Sequence, residues 1–214
     1  MSVSPPAYLD CYIVLDGTIL SEAVRLNREI VATAGGEVDF AQGRVPHLTL
    51  FMGLFPEAAV VRVEAAVAEV ARAFPPVPLA LVGLTAARDG YLFLQVARTP
   101  ALAALHAAVV RALDPLREGL IRPKFLQALN TYSTVEQANI QRYGFPWVLD
   151  EWRPHVTVGH VSPERHEALL SRLRPVPVEG LGGDLALGRV EGKGTVVEAG
   201  RRFRLTGPSD PVPA

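Results

Sequence analysis

The sequence has 214 residues, of which 49% are hydrophobic and 20% charged, and its formal net charge is −1. This composition excludes a disordered chain, and it argues against a protein that coats long nucleic acid, because such a surface needs a basic stripe. The length fits one domain, or two small lobes that share a core.

The first part of the sequence predicts strands that alternate with helices. Residues 8–15 are rich in aromatic and β-branched residues and predict a strand with Tyr8, Asp10, Tyr12 and Val14 on one face. The following predicted elements are a helix at 20–34, a strand at 47–53, a helix at 57–73, and strands at 77–84 and 91–97. The last two strands flank an Asp-Gly turn, which is typical of a hairpin.

The second part begins with an Ala- and Leu-rich helix and ends in strands. Its predicted elements are a helix at 101–113, a long connection at 114–150 with a helix at 133–142, a strand at 153–161, a short helix to about 173, and strands near 176–179, 184–190 and 195–205. Ser162 followed by Pro163 predicts the start of the short helix. The proline-rich residues 207–214 predict a flexible tail.

Two stretches share the pattern Pro-His-apolar-Thr-apolar, at residues 46–50 and 154–158. In a β-strand, the period of two puts each histidine on the same face as its threonine, with the apolar residues on the other face. Two identical polar pairs on otherwise apolar strands indicate two halves of one site, formed by His47 and Thr49 together with His155 and Thr157.

The same order of elements follows both stretches. Each is followed by a helix, a Pro-Val-Pro sequence at 76–78 or 175–177, a strand, a turn and a strand. This order predicts a duplicated α+β unit in which the two motif strands meet across a central cleft.

With these two motifs, the sequence resembles the 2H phosphoesterase family, which includes 2′,3′-cyclic nucleotide phosphodiesterases and 2′-5′ RNA ligase-like proteins. The resemblance implies an α+β fold of two lobes, with two antiparallel sheets around a central cleft and helices on the outside. It implies one domain over residues 1–206, with pseudo-repeat halves at about 8–97 and 98–206. Residues 143–158 also resemble the subgroup of this family that is associated with phosphonate metabolism, although the first half of the chain departs from that subgroup.

Cleavage of a cyclic phosphate needs a base for water, an acid for the departing ribose oxygen, and donors for the phosphoryl oxygens. Histidine suits both proton-transfer roles, because its pKa lies near neutrality. The resemblance therefore implies that His47 and His155 are catalytic and that Thr49 and Thr157 bind phosphate, without a metal or a cofactor. The sequence leaves open which histidine is the base.

The predicted function is hydrolysis of a cyclic phosphate, such as a 2′,3′-cyclic nucleotide or a related ribose cyclic phosphate, or of a 2′-5′ phosphodiester. One alternative is a 2′-5′ RNA ligase-like activity, which uses the same residues in reverse. A second is a nucleotide-binding module without turnover. The expected partner is a small nucleotide or ribose phosphodiester, with a short RNA end as an alternative, and no obligate protein partner is evident.

Other residues are weaker candidates for the site. Arg153, two residues before His155, is predicted to bind a phosphate or carboxylate, with a surface position as the equal alternative. Tyr12 is predicted to stack on a base, with core packing as the alternative. Lys124 and Lys193 are candidates only by their position in loops, whereas His106, His160 and His166 are expected to be structural. A metal site is disfavoured because the motifs contain no carboxylate or third ligand.

The cysteine content and the hydropathy of the chain predict its location. Cys11 is the only cysteine, which excludes an internal disulfide and fits a reducing compartment. No stretch has the length of a transmembrane helix, and residues 1–6 lack the regions of a signal peptide. We therefore expect a cytoplasmic protein that does not bind membranes.

Overall fold

The computed structural model describes residues 4–87, 89–191 and 195–208. The strands in these residues are Ala7–Val14 (β1), His47–Phe55 (β2), Val77–Ala86 (β3), Tyr91–Val96 (β4), His155–His160 (β5), Glu179–Gly182 (β6), Asp184–Glu191 (β7), Thr195–Glu198 (β8) and Arg202–Arg204 (β9). The helices are Gly17–Ala34 (α1), Val60–Ala73 (α2), Pro100–Leu113 (α3), Pro123–Gln127 (α4), Thr134–Tyr143 (α5) and His166–Arg172 (α6).

All the strands in the described residues belong to one antiparallel sheet. Its order is β6-β3-β4-β5-β2-β1-β7-β8, and β9 also pairs with β7. The two motif strands, β2 and β5, are joined by a single residue pair, Leu48 with Val156. We call β3, β4, β5 and β6 the His155 arm, and β1, β2, β7, β8 and β9 the His47 arm. The two sheets expected from the sequence are therefore two arms of one sheet, which meet at this single pair.

The two arms do not follow the two sequence halves. The strands of the His155 arm lie in one continuous stretch, residues 77–182, and those of the His47 arm lie on either side of it. The predicted halves, 8–97 and 98–206, thus each contribute strands to both arms. The proposed internal repeat remains a prediction.

The helices cover the sheet because each has one apolar face. In α1, Ile19, Ala23, Leu26 and Ile30 recur at helical spacing and are all buried. This helix packs on β5 and β6, whereas α2 packs on β7 and β9, and α3 contacts both β2 and β3. At Gly159 the backbone of β5 approaches α1 so closely that a Cβ would lie 3.0 Å from Ile30. The helix that follows β1 in the chain therefore supports the opposite arm.

The connection between α3 and β5 is held by a buried arginine. Arg117 is 1% exposed and donates hydrogen bonds to Asp114 and to the backbone carbonyls of Leu120 and Arg142. The helix predicted at 133–142 is present as α5, with a capping box between Ser133 and Glu136. The connection is thus an ordered part of the fold.

Some predicted elements differ from the observed ones. The strand expected at 176–179 lies at Glu179–Gly182, because Pro175 and Pro177 lack the N–H groups that a strand needs. The strand expected at 195–205 is two strands, β8 and β9. Ser162 precedes a 3₁₀ turn, Pro163–Arg165, and its side chain makes no capping bond.

Three other features of the sequence analysis fall wholly or partly outside the described residues. These are the turn at 191–194, Lys193 and the end of the tail, residues 209–214. Among the helices that the structure describes, none is long and apolar enough to cross a membrane.

Candidate active site

The two motifs meet where the arms join. Leu48 and Val156 are paired and completely buried, so their side chains point to one face of the sheet. By the alternation of a strand, His47, Thr49, His155 and Thr157 lie on the opposite face, and all four are partly exposed. We call this the histidine face. The structure thus brings the four predicted residues together.

His47 faces acceptors through both of its ring nitrogens. Its Nδ1 lies 2.6 Å from the carbonyl oxygen of Val45, and its Nε2 lies 3.2 Å from Oδ2 of Asp10. Burial disfavours the protonated ring, but the Asp10 carboxylate and the Val45 carbonyl outweigh burial and raise the pKa of His47 above its usual range. The surroundings of His47 therefore favour its protonated form more than those of a free histidine do.

Asp10 was not predicted as a site residue, and it is completely buried beside His47. Its Oδ2 accepts a hydrogen bond of 2.6 Å from the hydroxyl of Thr49, while its Oδ1 has no partner among the described atoms. Burial raises the pKa of Asp10, although His47 and Thr49 oppose this change. The signal in the sequence was a carboxylate in the middle of an apolar strand, since a buried charge needs a partner.

His155 has a different environment. Its Nδ1 lies 2.7 Å from the carbonyl oxygen of Arg153, and Nε2 has no hydrogen-bond partner within the described part of the chain. The ring packs against Phe93, with 4.0 Å between the centroids. Burial and the charge on His47 lower the pKa of His155, although the Arg153 carbonyl opposes them. His155 is therefore neutral, and its Nε2 carries a free lone pair.

The two threonines also differ. The hydroxyl of Thr49 is already bonded to Asp10, whereas that of Thr157 makes no hydrogen bond to any described residue. A free hydroxyl on the histidine face can donate to a ligand at once. Thr49 has to share its proton between Asp10 and a ligand.

The structure supports core packing for Tyr12. This residue is 1% exposed and packs among Met52, Val190 and Val196, with its ring 5.1 Å from that of His47. A ring so buried offers no face to a base, so the predicted stacking role is corrected to support of His47. Arg153 is exposed, and its contact with the site is through its backbone carbonyl. Its role in substrate binding stays a prediction.

A buried group behind the motif strands links them to each other. Trp152 donates from its indole to the carbonyl of Thr49 at 3.2 Å, and its ring stacks on that of His106 with centroids 4.2 Å apart. Nδ1 of His106 lies 2.7 Å from the carbonyl of Leu50, and its Nε2 accepts from the N–H of Leu149. Burial lowers the pKa of His106 to about 4. His106 is therefore structural, as predicted.

The remaining histidines also contact backbone carbonyls. Nε2 of His160 lies 3.0 Å from the carbonyl of Asp89, and Nε2 of His166 lies 3.3 Å from that of Gly90.

Asn27 of α1 holds β5 in place, since its amide donates to the carbonyl of Val158 at 2.9 Å. Across the described ranges, there is no group of three or more His, Cys, Asp or Glu side chains that could hold a metal ion.

The arrangement combines, on one face, an imidazole whose pKa is raised and one whose pKa is lowered, together with two threonine hydroxyls. A neutral imidazole can take a proton from water, and an imidazolium can give one to a leaving group. Hydroxyl groups nearby can donate to an oxyanion. This set of groups suits the transfer of an acyl or phosphoryl group to water.

Comparison with known proteins identifies relatives of this chain. A family model described as the 2′-5′ RNA ligase superfamily matches residues 25–194. The solved structure of TT0787 of Thermus thermophilus is similar with a TM-score of 0.62 and 18% identity, over 94% of this chain and 98% of that one. E. coli LigT in complex with 3′-AMP is similar with a TM-score of 0.57 and 16% identity, over 95% and 99%.

A structure described as a phosphoesterase has a TM-score of 0.50 and 15% identity over 94% of this chain and 99% of that one. No curated protein matches the sequence. At such identities the solved structures bear on the fold alone, and they confirm the predicted α+β fold class.

Proposed function

Because the chain belongs to the 2′-5′ RNA ligase superfamily of 2H phosphoesterases, we propose that it hydrolyses a cyclic phosphate of a nucleotide-like substrate. Candidate substrates are 2′,3′-cyclic nucleotides, related ribose cyclic phosphates and 2′-5′ phosphodiesters. The observation that carries this proposal is the difference between the two motif histidines: the pKa of His47 is raised and that of His155 is lowered. An acid with a raised pKa and a base with a lowered pKa are each shifted towards the form in which they work.

In the proposed reaction, His155 is the base and His47 is the acid. Nε2 of His155 takes a proton from water, and the water oxygen bonds to phosphorus. The bond between phosphorus and one ribose oxygen breaks, and the proton on Nε2 of His47 leaves its contact with Oδ2 of Asp10 and passes to that oxygen. The products are a phosphomonoester and a ribose hydroxyl, and each histidine has changed its protonation state once.

The threonines would stabilise the charge that builds on the phosphoryl oxygens. Thr157 has a hydroxyl without a described partner, and Thr49 lies between Asp10 and the position proposed for the phosphate. A free donor such as Thr157 lowers the barrier because it does not have to break another hydrogen bond during the reaction, whereas Thr49 shares its proton with Asp10. No metal is part of the proposed mechanism.

A nucleotide substrate is supported by analogy. LigT, which shares the fold, was solved with 3′-AMP, a nucleoside monophosphate of the type that opening of a cyclic phosphate gives. The ligase-like alternative uses the same groups in reverse, and the formal charge of −1 favours a small substrate over a long RNA. We also propose a cytoplasmic location, which the single, buried cysteine supports.

The proposal is tested by a turnover screen of 2′,3′-cyclic nucleotides, ribose cyclic phosphates and 2′-5′ dinucleotides, with chelator present. General acid–base groups contribute about 10²–10⁴-fold, so His47→Ala and His155→Ala should each lose that much turnover. The double variant should be little worse, since the two act as a unit. His166→Ala is the matched control, because this histidine contacts the carbonyl of Gly90.

Three outcomes would contradict the proposal. Substrates that bind without being consumed would favour the binding module. Joining of RNA ends in preference to hydrolysis would favour the ligase. Near-full turnover of either single histidine variant would refute the mechanism in which one histidine is the acid and the other the base.

A further inference from the structure

The carboxylate of Asp10 contacts both groups of the first motif at once. Its Oδ2 lies 2.6 Å from the hydroxyl of Thr49 and 3.2 Å from Nε2 of His47. We propose that Asp10 is a positioning residue, which orients His47 and holds it as the imidazolium that acts as the acid. This inference rests on the proposed function, because it concerns the acid of that reaction.

The geometry around His47 supports this proposal. Both ring nitrogens lie beside oxygen atoms, Val45 O at Nδ1 and Asp10 Oδ2 at Nε2. The imidazolium satisfies both contacts by donating from each nitrogen, and the Thr49 hydroxyl, which donates to the same Oδ2, favours the ionised form of Asp10. Asp10 in turn is completely buried, and a buried carboxylate is stable only with partners such as these.

Asp10 is the only anion beside His47 among the described residues. Beside Asp10, β1 presents Tyr12 to His47, and burial raises the pKa of Tyr12, which keeps the phenol neutral. On the other side of His47, strand β5 of the His155 arm carries His155, whose pKa is lowered by burial and by the charge on His47. Arg202 of β9 acts on Tyr12. Asp10 is therefore the group that fixes the proton on His47.

The test uses Asp10→Asn, which keeps the shape of the side chain and removes its charge. In an NMR titration, the pKa of His47 should fall, and that of His155 should rise because the charge on His47 no longer lowers it. The signals of His106, His160 and His166 serve as internal references. The rate should fall more at alkaline than at acidic pH.

Asp114→Asn is the matched control, because Asp114 is also a buried carboxylate but pairs with Arg117 and Arg142. The proposal is overturned if Asp10→Asn leaves the pKa of His47 unchanged, or if Asp114→Asn lowers it equally. If Asp10→Asn does not fold, the wild type decides: His47 must titrate at a higher pH than His155. These titrations need no turnover, so a failed substrate screen would count against the proposed function alone.

Discussion

The different surroundings of Thr49 and Thr157 predict that the same substitution has different effects in the two motifs. Thr49→Val removes a hydroxyl that donates to the buried carboxylate of Asp10 at 2.6 Å. Thr157→Val removes a hydroxyl that makes no hydrogen bond to a described residue. Valine keeps the β-branched shape, so each variant reports on the hydroxyl alone.

The expected magnitudes follow from these contacts. A hydrogen bond to a charged group contributes about 1.5–3 kcal/mol, and Asp10 is completely buried, so Thr49→Val should lose stability in this range. For a chain of this size, such a loss lowers the Tm by roughly 3–12 °C. Thr157→Val should change stability by less than about 0.5 kcal/mol. Its turnover should nevertheless fall by about 10²–10³-fold, because a donor to the transition state is lost.

Melting curves and steady-state kinetics of both variants measure the difference. Thr49→Ser is the matched control, since it restores the donor to Asp10 and should recover most of the lost stability. Equal Tm values for the two valine variants would refute the assigned contact between Thr49 and Asp10. Full turnover of Thr157→Val would remove Thr157 from the site.

Three further predictions concern other parts of the molecule. The pKa of His106 is lowered to about 4, so the folded state binds the neutral ring, and the free energy of unfolding falls by about 3 kcal/mol as the pH is lowered from 6.5 to 4. His106→Phe should be less stable at neutral pH, and its urea titrations should lack this loss of stability in acid. Arg153→Ala should raise KM by about tenfold with little change in kcat if the guanidinium binds substrate, and an unchanged KM would assign Arg153 to the surface. Activity should survive exhaustive chelation, whereas a loss that one metal ion restores would contradict the metal-free mechanism.

The sequence predicted the four motif residues because strand alternation alone decides which side chains share a face. Leu48, Leu50, Val156 and Val158 are all buried, as this alternation requires. The meeting of the two strands was inferred from their identical patterns, and the pair of Leu48 with Val156 agrees with it. Local rules therefore account for the orientation of these residues.

The contacts of Asp10 could not be predicted in the same way. Alternation placed it on the face of Tyr8 and Tyr12, but its partner depends on the register between β1 and β2. That register shifts between Cys11 and Tyr12, which no turn or residue pattern in the sequence signals. The protonation states of the two histidines depend on this contact and on burial, so the sequence left the acid and the base unassigned.

The strand order was also beyond prediction from local patterns. An internal repeat suggests two halves that fold side by side, yet β1 pairs with β7 as well as with β2 of its own half. Which strand joins which arm is decided by tertiary packing, such as that of α1 on β5 and β6.

In the sequence, the His155 arm lies between the two parts of the His47 arm, and this order has a consequence for synthesis on the ribosome. The strands of the His155 arm lie at residues 77–182, so they can pair before the rest of the chain has emerged. β1 is made first but has to wait for β7 at Asp184–Glu191. During that wait the nascent chain leaves one edge of β1 unpaired, with Cys11 and Asp10 on a strand that is still uncovered. We therefore expect chaperone dependence and aggregation of truncated chains to be greatest for products that end between residues 55 and 184.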